Sequence, residues 1–313
     1  MHFGAFMEFS NRAGVPEAQA FQEGFRMVDA AEEMGLDGVW LAELHFNPAR
    51  SVLSSPIIVA TSIATRTKRL RVGMAVYVLP LSNPLRIAEE VATVDHISEG
   101  RFEFGIGRSG FARSYDVFSI PYNESQERFA ESLEIILQAW KGKEFSYQGN
   151  HYTVENATVT PAPYQQPHPP LRIAANSADT FTRLGQAGHP IFVGLRGMDI
   201  PELSKNVLEY RRRWREAGHP GEGDVSLRIP VYAGETQQQA MDEPFESISG
   251  YFGRMGNLYR ERAWKAGLEV TELADGRAER LAALSYDEML ETKIAFGTAE
   301  DLVDRFTQLK EEL

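Results

Sequence analysis

Apolar residues recur at helical spacing at Phe21, Phe25, Val28 and Ala31, behind Pro16 and ahead of Gly35, and this predicts the first helix. Residues 2–9 read as a buried first strand and the apolar run 38–42 as a second. The rhythm repeats with a helix over 56–65, a strand over 70–79, and a helix from Pro84 with Ile87, Val91 and Val94 on one face. Phe102, Phe104 and Ile106 then alternate with Glu103 and Gly105. They form a fourth strand, which empties into the glycine-rich loop of Gly107, Arg108, Ser109 and Gly110. Residues 111–121 read as loop. Asn123 and Gln126 are spaced as a capping pair for a helix with Phe129, Leu133, Ile136 and Trp140 on its inner face.

The alternation 145–154 predicts a hairpin around Gly149-Asn150, and the proline-rich run 161–170 is a connector that no helix can cross. A fifth strand is expected over 171–175, a helix capped by Ser177, a sixth strand over 191–195, a helix carrying Leu203, Val207, Tyr210 and Trp214, and a seventh strand over 225–233. Seven strand and helix alternations with crossovers long enough for parallel pairing predict an α/β fold. The chain is long for one open sheet and polar residues recur after each strand, so an eight-fold (β/α)8 TIM barrel is expected, as one domain over residues 1–313. Residues 236–296 break the rhythm and read as a helical insertion or lid after strand seven, with Tyr251, Phe252, Tyr259 and Trp264 as its core or a substrate wall. Thr298 and Asp301 then cap a final helix, and no eighth strand is evident.

Charge and composition narrow the partners. A net charge of -12 excludes a general nucleic-acid binder, no 18-residue apolar run suggests a membrane span, and the first residues lack signal-peptide features. A cytoplasmic protein is expected. The chain has no cysteine and its seven histidines show no HExxH spacing, so neither a thiolate nucleophile nor a metal is expected. The basic run Arg211, Arg212, Arg213 and Arg215 reads as a solvated helix face.

A barrel places its site just after its strands. Those positions hold Glu43 and His45 after strand two, Ala75, Val76 and Tyr77 in strand three, Arg108 after strand four, and Asn176, Ser177 and Thr180 after strand five. The spacing Gly105-x-Gly107-x-x-Gly110 matches the dinucleotide fingerprint, but no helix is expected inside it, and a phosphate loop built on Arg108 is the better reading. Asn176-Ser177 at a helix start is a second anion-favouring place, and Arg128 near its own helix start adds charge. His45 is suited to general acid/base work, with Glu43 beside it.

These segments resemble the bacterial luciferase-like, flavin-dependent monooxygenase superfamily along nearly the whole chain. The resemblance lies in MHFGAF, GLDGVWLAELHF, RVGMAVYVLPLSNPLRIAEEVATVDHISEGRFEFGIGRSG, RFAESLEIILQAW and FGTAEDLVDRF. It implies a barrel that binds reduced FMN supplied by an NAD(P)H:flavin reductase. Oxygen is the co-substrate, a C4a-hydroperoxide forms, and an aldehyde, ketone or other small organic substrate is oxidised. It implies flavin-phosphate contacts at Arg108, Arg128, Asn176, Ser177 and Thr180, and a cis peptide at Ala75-Val76 beneath the isoalloxazine ring. A homodimer is also implied.

Three positions depart from the luciferase pattern. Leu44 replaces the first histidine of the Glu-His-His-Phe motif, so light emission does not carry over; Gly107 replaces the cysteine beside the flavin, and Asn176 replaces an acidic residue. Two further readings remain: a deazaflavin (F420)-dependent oxidoreductase of the same superfamily, and a non-catalytic flavin-binding partner subunit.

Overall fold

The computed structural model describes residues 1–195, 197–265 and 277–313, without the side chains of 257–265, 277–278 and 282. The chain forms two compact units, 1–174 and 175–313.

The first unit opens with β1 (Gly4–Met7), α1 (Glu17–Glu33), β2 (Gly38–Leu41), α2 (Pro56–Arg66), β3 (Arg71–Met74), β4 (Tyr77–Val78) and α3 (Pro84–Ile97). It continues with β5 (Phe102–Gly107), α4 (Ala112–Val117), α5 (Ser125–Ala139), β6 (Phe145–Gln148), β7 (Thr153–Ala157) and β8 (Leu171–Ala174). Strands β1, β2, β3, β5 and β8 pair in that order, all parallel, with β4 on β5. Every residue of β5 is buried, as a parallel strand covered on both faces requires. Val39, Leu41, Val72, Met74, Phe104 and Ile106 fill the core around it. The one charge buried within β5, Glu103, is matched by Arg172 at 2.9 Å and by Arg71.

Local chemistry explains the element ends. Pro84 occupies the first turn of α3 while Asn83 accepts the Leu85 N–H at 2.9 Å. The hairpin expected around Gly149-Asn150 is β6–β7, and the proline-rich connector holds two cis prolyl bonds, Thr160-Pro161 and Gln166-Pro167. Four expectations are corrected. The third strand is not continuous over 70–79; it is interrupted at Ala75-Val76, whose peptide is cis. Residues 111–121 are not all loop, because Ala112–Val117 is a short helix that buries Tyr115 completely. Asn123 and Gln126 form no capping box: the helix begins at Ser125, and the Glu124 side chain before it is turned to Arg128 instead. In α1 the buried stripe is Ala20, Gly24, Val28 and Ala31, because the Phe9 ring lies against Gly24 and leaves Phe21 and Phe25 only partly covered.

The second unit runs α6 (Ala178–Ala187), β9 (Ile191–Gly194), α7 (Ile200–Glu216), β10 (Val225–Arg228), β11 (Val231–Ala233), α8 (Gln237–Asp242), α9 (Phe245–Lys265), α10 (Arg277–Ala283), α11 (Tyr286–Thr292), β12 (Ala295–Gly297) and α12 (Ala299–Glu312). Strands β9 and β10 pair in parallel, and the strand expected over 225–233 divides at Ile229-Pro230, where proline has no N–H to give the ladder. The final stretch does contain a strand: β12, three residues long, pairs in parallel with β11. It was hidden because Ala295, Phe296 and Gly297 are too short a run to show a period. Thr298 and Asp301 form the expected capping box of α12. Among the described residues of 236–296, the helices α8, α9, α10 and α11 precede β12, and Ile248, Phe252, Met255, Leu281, Met289 and Ile294 form an apolar cluster. The side chains of Tyr259 and Trp264 lie outside the described residues. Lys293, 6% exposed, donates from Nζ to the Met198 carbonyl at 2.8 Å, and burial lowers its pKa. In the basic run, Arg212 and Arg213 pair with Glu209 and Glu216 along α7.

Candidate active site

The parallel order of β2, β3 and β5 brings three of the expected positions to the carboxyl end of one sheet in the first unit. Glu43 and His45 follow β2, and their side chains are joined: His45 Nε2 donates to Glu43 Oε1 at 2.7 Å. The second oxygen, Oε2, accepts the Val78 N–H at 2.8 Å. Val78 is the last residue of β4, two positions after the Ala75-Val76 peptide. One buried carboxylate therefore ties the histidine to the segment that follows that peptide. The commitment of Nε2 leaves Nδ1 as the ring nitrogen for proton traffic. The imidazole is half-buried against the edge of Phe118, 5.1 Å between centroids, with Phe46 5.8 Å away on another side. Tyr77 is buried beside the same carboxylate; burial first, then the Glu43 and Glu90 charges, push its pKa up.

The glycines of β5 make room for this corner. A Cβ on Gly105 would overlap the Met74 carbonyl oxygen, and one on Gly107 would come within 2.6 Å of Val76 Cγ2. Both contacts are with the segment on either side of Ala75, so the spacing Gly-x-Gly serves close approach of two strands and no dinucleotide helix. A flat group laid against Val76 meets no side chain from Gly107.

Arg108 follows β5 directly. Its Nη1 donates to Ser125 Oγ at 3.2 Å, and its carbonyl accepts from the Tyr115 hydroxyl. Burial, with the Tyr122 hydroxyl next in weight, pushes the Tyr115 pKa up. The Tyr122 ring stands edge-on to Tyr115 at 5.0 Å, and its hydroxyl is buried without a hydrogen-bond partner among the described residues. Ser125 is the first residue of α5, and Arg128 is one turn on, held by Glu124 at 2.7 Å. Burial opposes the Arg128 charge most, but the hydrogen bonds and charges of Glu124 and Tyr152 together outweigh it and the pKa is raised. The first turn of α5 thus carries one expected arginine and bonds the other. It joins a helix dipole and two guanidinium groups, a donor set suited to a phosphate. Ser125 and Tyr122 were not among the sequence candidates; a serine three residues before Arg128 was the signal for the first, and nothing marked the second.

In the second unit Ser177 occupies the cap position of α6, but its side chain makes no cap bond. Its Oγ pairs with Thr180 Oγ1 at 2.9 Å, while the Thr180 N–H bonds the Ser177 carbonyl at 2.9 Å. Asn176 precedes them on the same turn. Among the described residues no group of three or more His, Cys, Asp or Glu could hold a metal ion, and no helix is long and apolar enough to cross a membrane.

Comparison with known proteins places this geometry. The chain is 24% identical over 294 residues to the oxygenase component of a flavin-dependent trigonelline monooxygenase from Acinetobacter baylyi, covering 92% of this chain and 80% of that one. It is 32% identical over 209 residues to an F420-dependent glucose-6-phosphate dehydrogenase from Kineococcus radiotolerans, covering 64% and 60%. The matches to the first three curated relatives span only 52%, 55% and 54% of those relatives' lengths. Among solved structures, the oxygenating constituent of 3,6-diketocamphane monooxygenase from Pseudomonas putida, in complex with FMN, superposes with a TM-score of 0.80. It covers 100% of this chain and 88% of that one at 18% identity, which shows the α/β barrel fold. The pattern of the luciferase-like monooxygenases matches residues 1–313 from end to end, and the chain belongs to that family.

Proposed function

We propose that the chain is the oxygenase of a two-component flavin-dependent monooxygenase, taking reduced FMN from an NAD(P)H:flavin reductase and O2 from solution to oxidise an aldehyde, ketone or other small organic substrate. Bound reduced FMN supplies the two electrons with which O2 is activated. Arg108, Ser125 and Arg128 bind its phosphate, and Tyr122 has a hydroxyl to add. For Asn176, Ser177 and Thr180 a phosphate contact is proposed from the sequence resemblance alone. Ala75 and Val76 form the bed of the ring, where Gly107 lets the Val76 side chain pack close against β5. His45 takes up and returns a proton at Nδ1, and Glu43 keeps its ring in place through Nε2. Phe46 and Phe118, both exposed, flank the imidazole at 5.8 and 5.1 Å between centroids.

The observation that carries this reading is the Glu43 carboxylate, bonded at once to His45 and to the backbone just beyond Ala75-Val76. The test combines the chain with FMN, a flavin reductase and NAD(P)H, and follows oxygen uptake and products over a panel of carbonyl compounds. Oxygenated product that depends on both the chain and the reductase is expected. Reduced FMN that decays only to peroxide with every compound overturns the reading.

The F420-dependent relative favours a second reading, deazaflavin-dependent hydride transfer. Titration with FMN and with F420 separates the two: tighter binding of FMN by tenfold or more supports the oxygenase, and the reverse supports the dehydrogenase.

A further inference from the structure

The carboxylate that holds Arg128 is shared with a histidine from another element. Glu124 Oε2 lies 2.7 Å from Arg128 Nη2 and 3.5 Å from His151 Nδ1. His151 belongs to the turn between β6 and β7, its side chain is 11% exposed, and its Nε2 is 3.0 Å from Glu127 Oε2. The turn is anchored independently: Glu131 accepts the N–H groups of Asn150 at 2.8 Å, His151 at 3.0 Å and Tyr152 at 3.2 Å. Arg128 in turn stacks over the Tyr152 ring, 5.9 Å from its centroid. The charged or titratable groups facing the imidazole are therefore Glu124 just before α5, Glu127, Arg128 and Glu131 from α5, and Tyr152 from the hairpin.

An anion reaching Arg128 meets a guanidinium already neutralised by Glu124, with a negative charge directly behind it. We propose that His151 is a positioning residue for the cofactor phosphate: protonated, it balances Glu124 and leaves the Arg128 charge to the phosphate. This rests on the phosphate assignment made above. Histidine changes charge between about pH 5 and 8, so the contribution is present at the acid end of that range and lost at the alkaline end. The phosphate's own second ionisation, near pH 6, weakens binding on acidification in every variant, and a ratio of variants removes it.

The experiment measures Kd for FMN by quenching of flavin fluorescence, on the full chain and on His151→Asn, at pH 5.5 and 8.5, with riboflavin as the probe lacking phosphate. The ratio of Kd for His151→Asn to that for the unaltered chain is expected to rise from about 1 at pH 8.5 to about 3–5 at pH 5.5 for FMN, the size of a partly exposed ion pair. It is expected to stay near 1 for riboflavin. With Glu124→Gln in both proteins the FMN ratio is expected to stay near 1 at both pH values, because the carboxylate through which His151 acts is gone. An FMN ratio independent of pH, or an equal rise with riboflavin, overturns the role of His151 while leaving the cofactor assignment intact. Failure of FMN to bind at either pH overturns the cofactor assignment, and this role with it.

Discussion

Glu43 and Glu124 each hold a histidine and one further group, but Glu43 is 5% exposed with one oxygen for each partner, whereas Glu124 is 31% exposed and turns a single oxygen to both Arg128 and His151. The first arrangement is saturated. A buried carboxylate with both oxygens bonded has no freedom to rotate without leaving a donor unpaired, so it fixes His45 against the backbone. The second is an arrangement a ligand can enter: a partly exposed, shared carboxylate gives up part of its hold at small expense when a competing anion arrives. Under the proposed function, orientation for proton transfer and readiness for a charged cofactor call for opposite settings of the same residue type, and the first unit contains both settings.

The largest effect is expected at the saturated carboxylate. Glu43→Gln puts an N–H donor where the Val78 N–H or the His45 Nε2–H needs an acceptor. The unsatisfied buried donor costs about 1–3 kcal/mol, seen as a Tm lower by roughly 2–6 °C. His45 loses its fixed ring orientation as well, so turnover is expected to fall about 100-fold, the lower end of what a placed acid or base contributes. FMN affinity measured on the same protein is expected to change less than threefold. A variant with normal turnover breaks the contrast, because Glu43 is then no more than a structural tie.

Next in size is the phosphate end. Arg108→Ala removes a guanidinium bonded to a buried serine, and a charge-assisted bond of this kind contributes about 1.5–3 kcal/mol, so Kd for FMN is expected to rise about 10- to 100-fold. Arg128→Ala removes a charge that Glu124 already offsets, and a rise of only about 2- to 5-fold is expected. Equal losses at the two arginines, measured side by side, would show that Glu124 does not restrain Arg128.

The alternation of strands and helices was readable because parallel strands buried on both faces and helices with one buried face leave different periods in the sequence. β5 is the clearest case, buried at every position and followed at once by Arg108. The Glu43–His45 pair was readable for the same reason, since a strand end fixes where its next residues emerge. What escaped had no period or depended on distant partners. β12 is three residues long. Residues 112–117 form a helix because Tyr115 finds the Arg108 carbonyl, a contact invisible to local pattern. The Asn123 and Gln126 spacing suggested a cap that Glu124 never makes, since its carboxylate has an arginine one turn away. The dinucleotide spacing of Gly105 and Gly107 is set aside for want of a helix, but that their use is to let the strand beside them pass close could not be read locally. Ser125 enters the site through the first turn of α5 and Tyr122 through the turn just before it, and only the folded chain brings Ser125 to Arg108.

The smallest effect concerns what carries His151 to Glu124. Burial works against ionisation of Glu131, but the N–H groups of His151, Asn150 and Tyr152 outweigh it and hold its pKa below the ordinary 4.5. A carboxyl group whose pKa is lower in the folded chain stabilises the fold above its unfolded value. That contribution is lost as pH falls through the folded value, so the window lies below about pH 4.5. Glu131→Gln is expected to lower Tm by about 1–3 °C at pH 7, the worth of the bonds it weakens. The deficit is expected to shrink toward zero as both proteins are acidified past pH 4.5, where the unaltered chain loses the same contribution. Hydrogen exchange at Asn150, His151 and Tyr152 should quicken in the variant while exchange at Val78, bonded to Glu43, stays slow. Quickening at both places would mean that the two carboxylates belong to one cooperative unit, and the division between a fixed corner and a yielding one would have no physical basis.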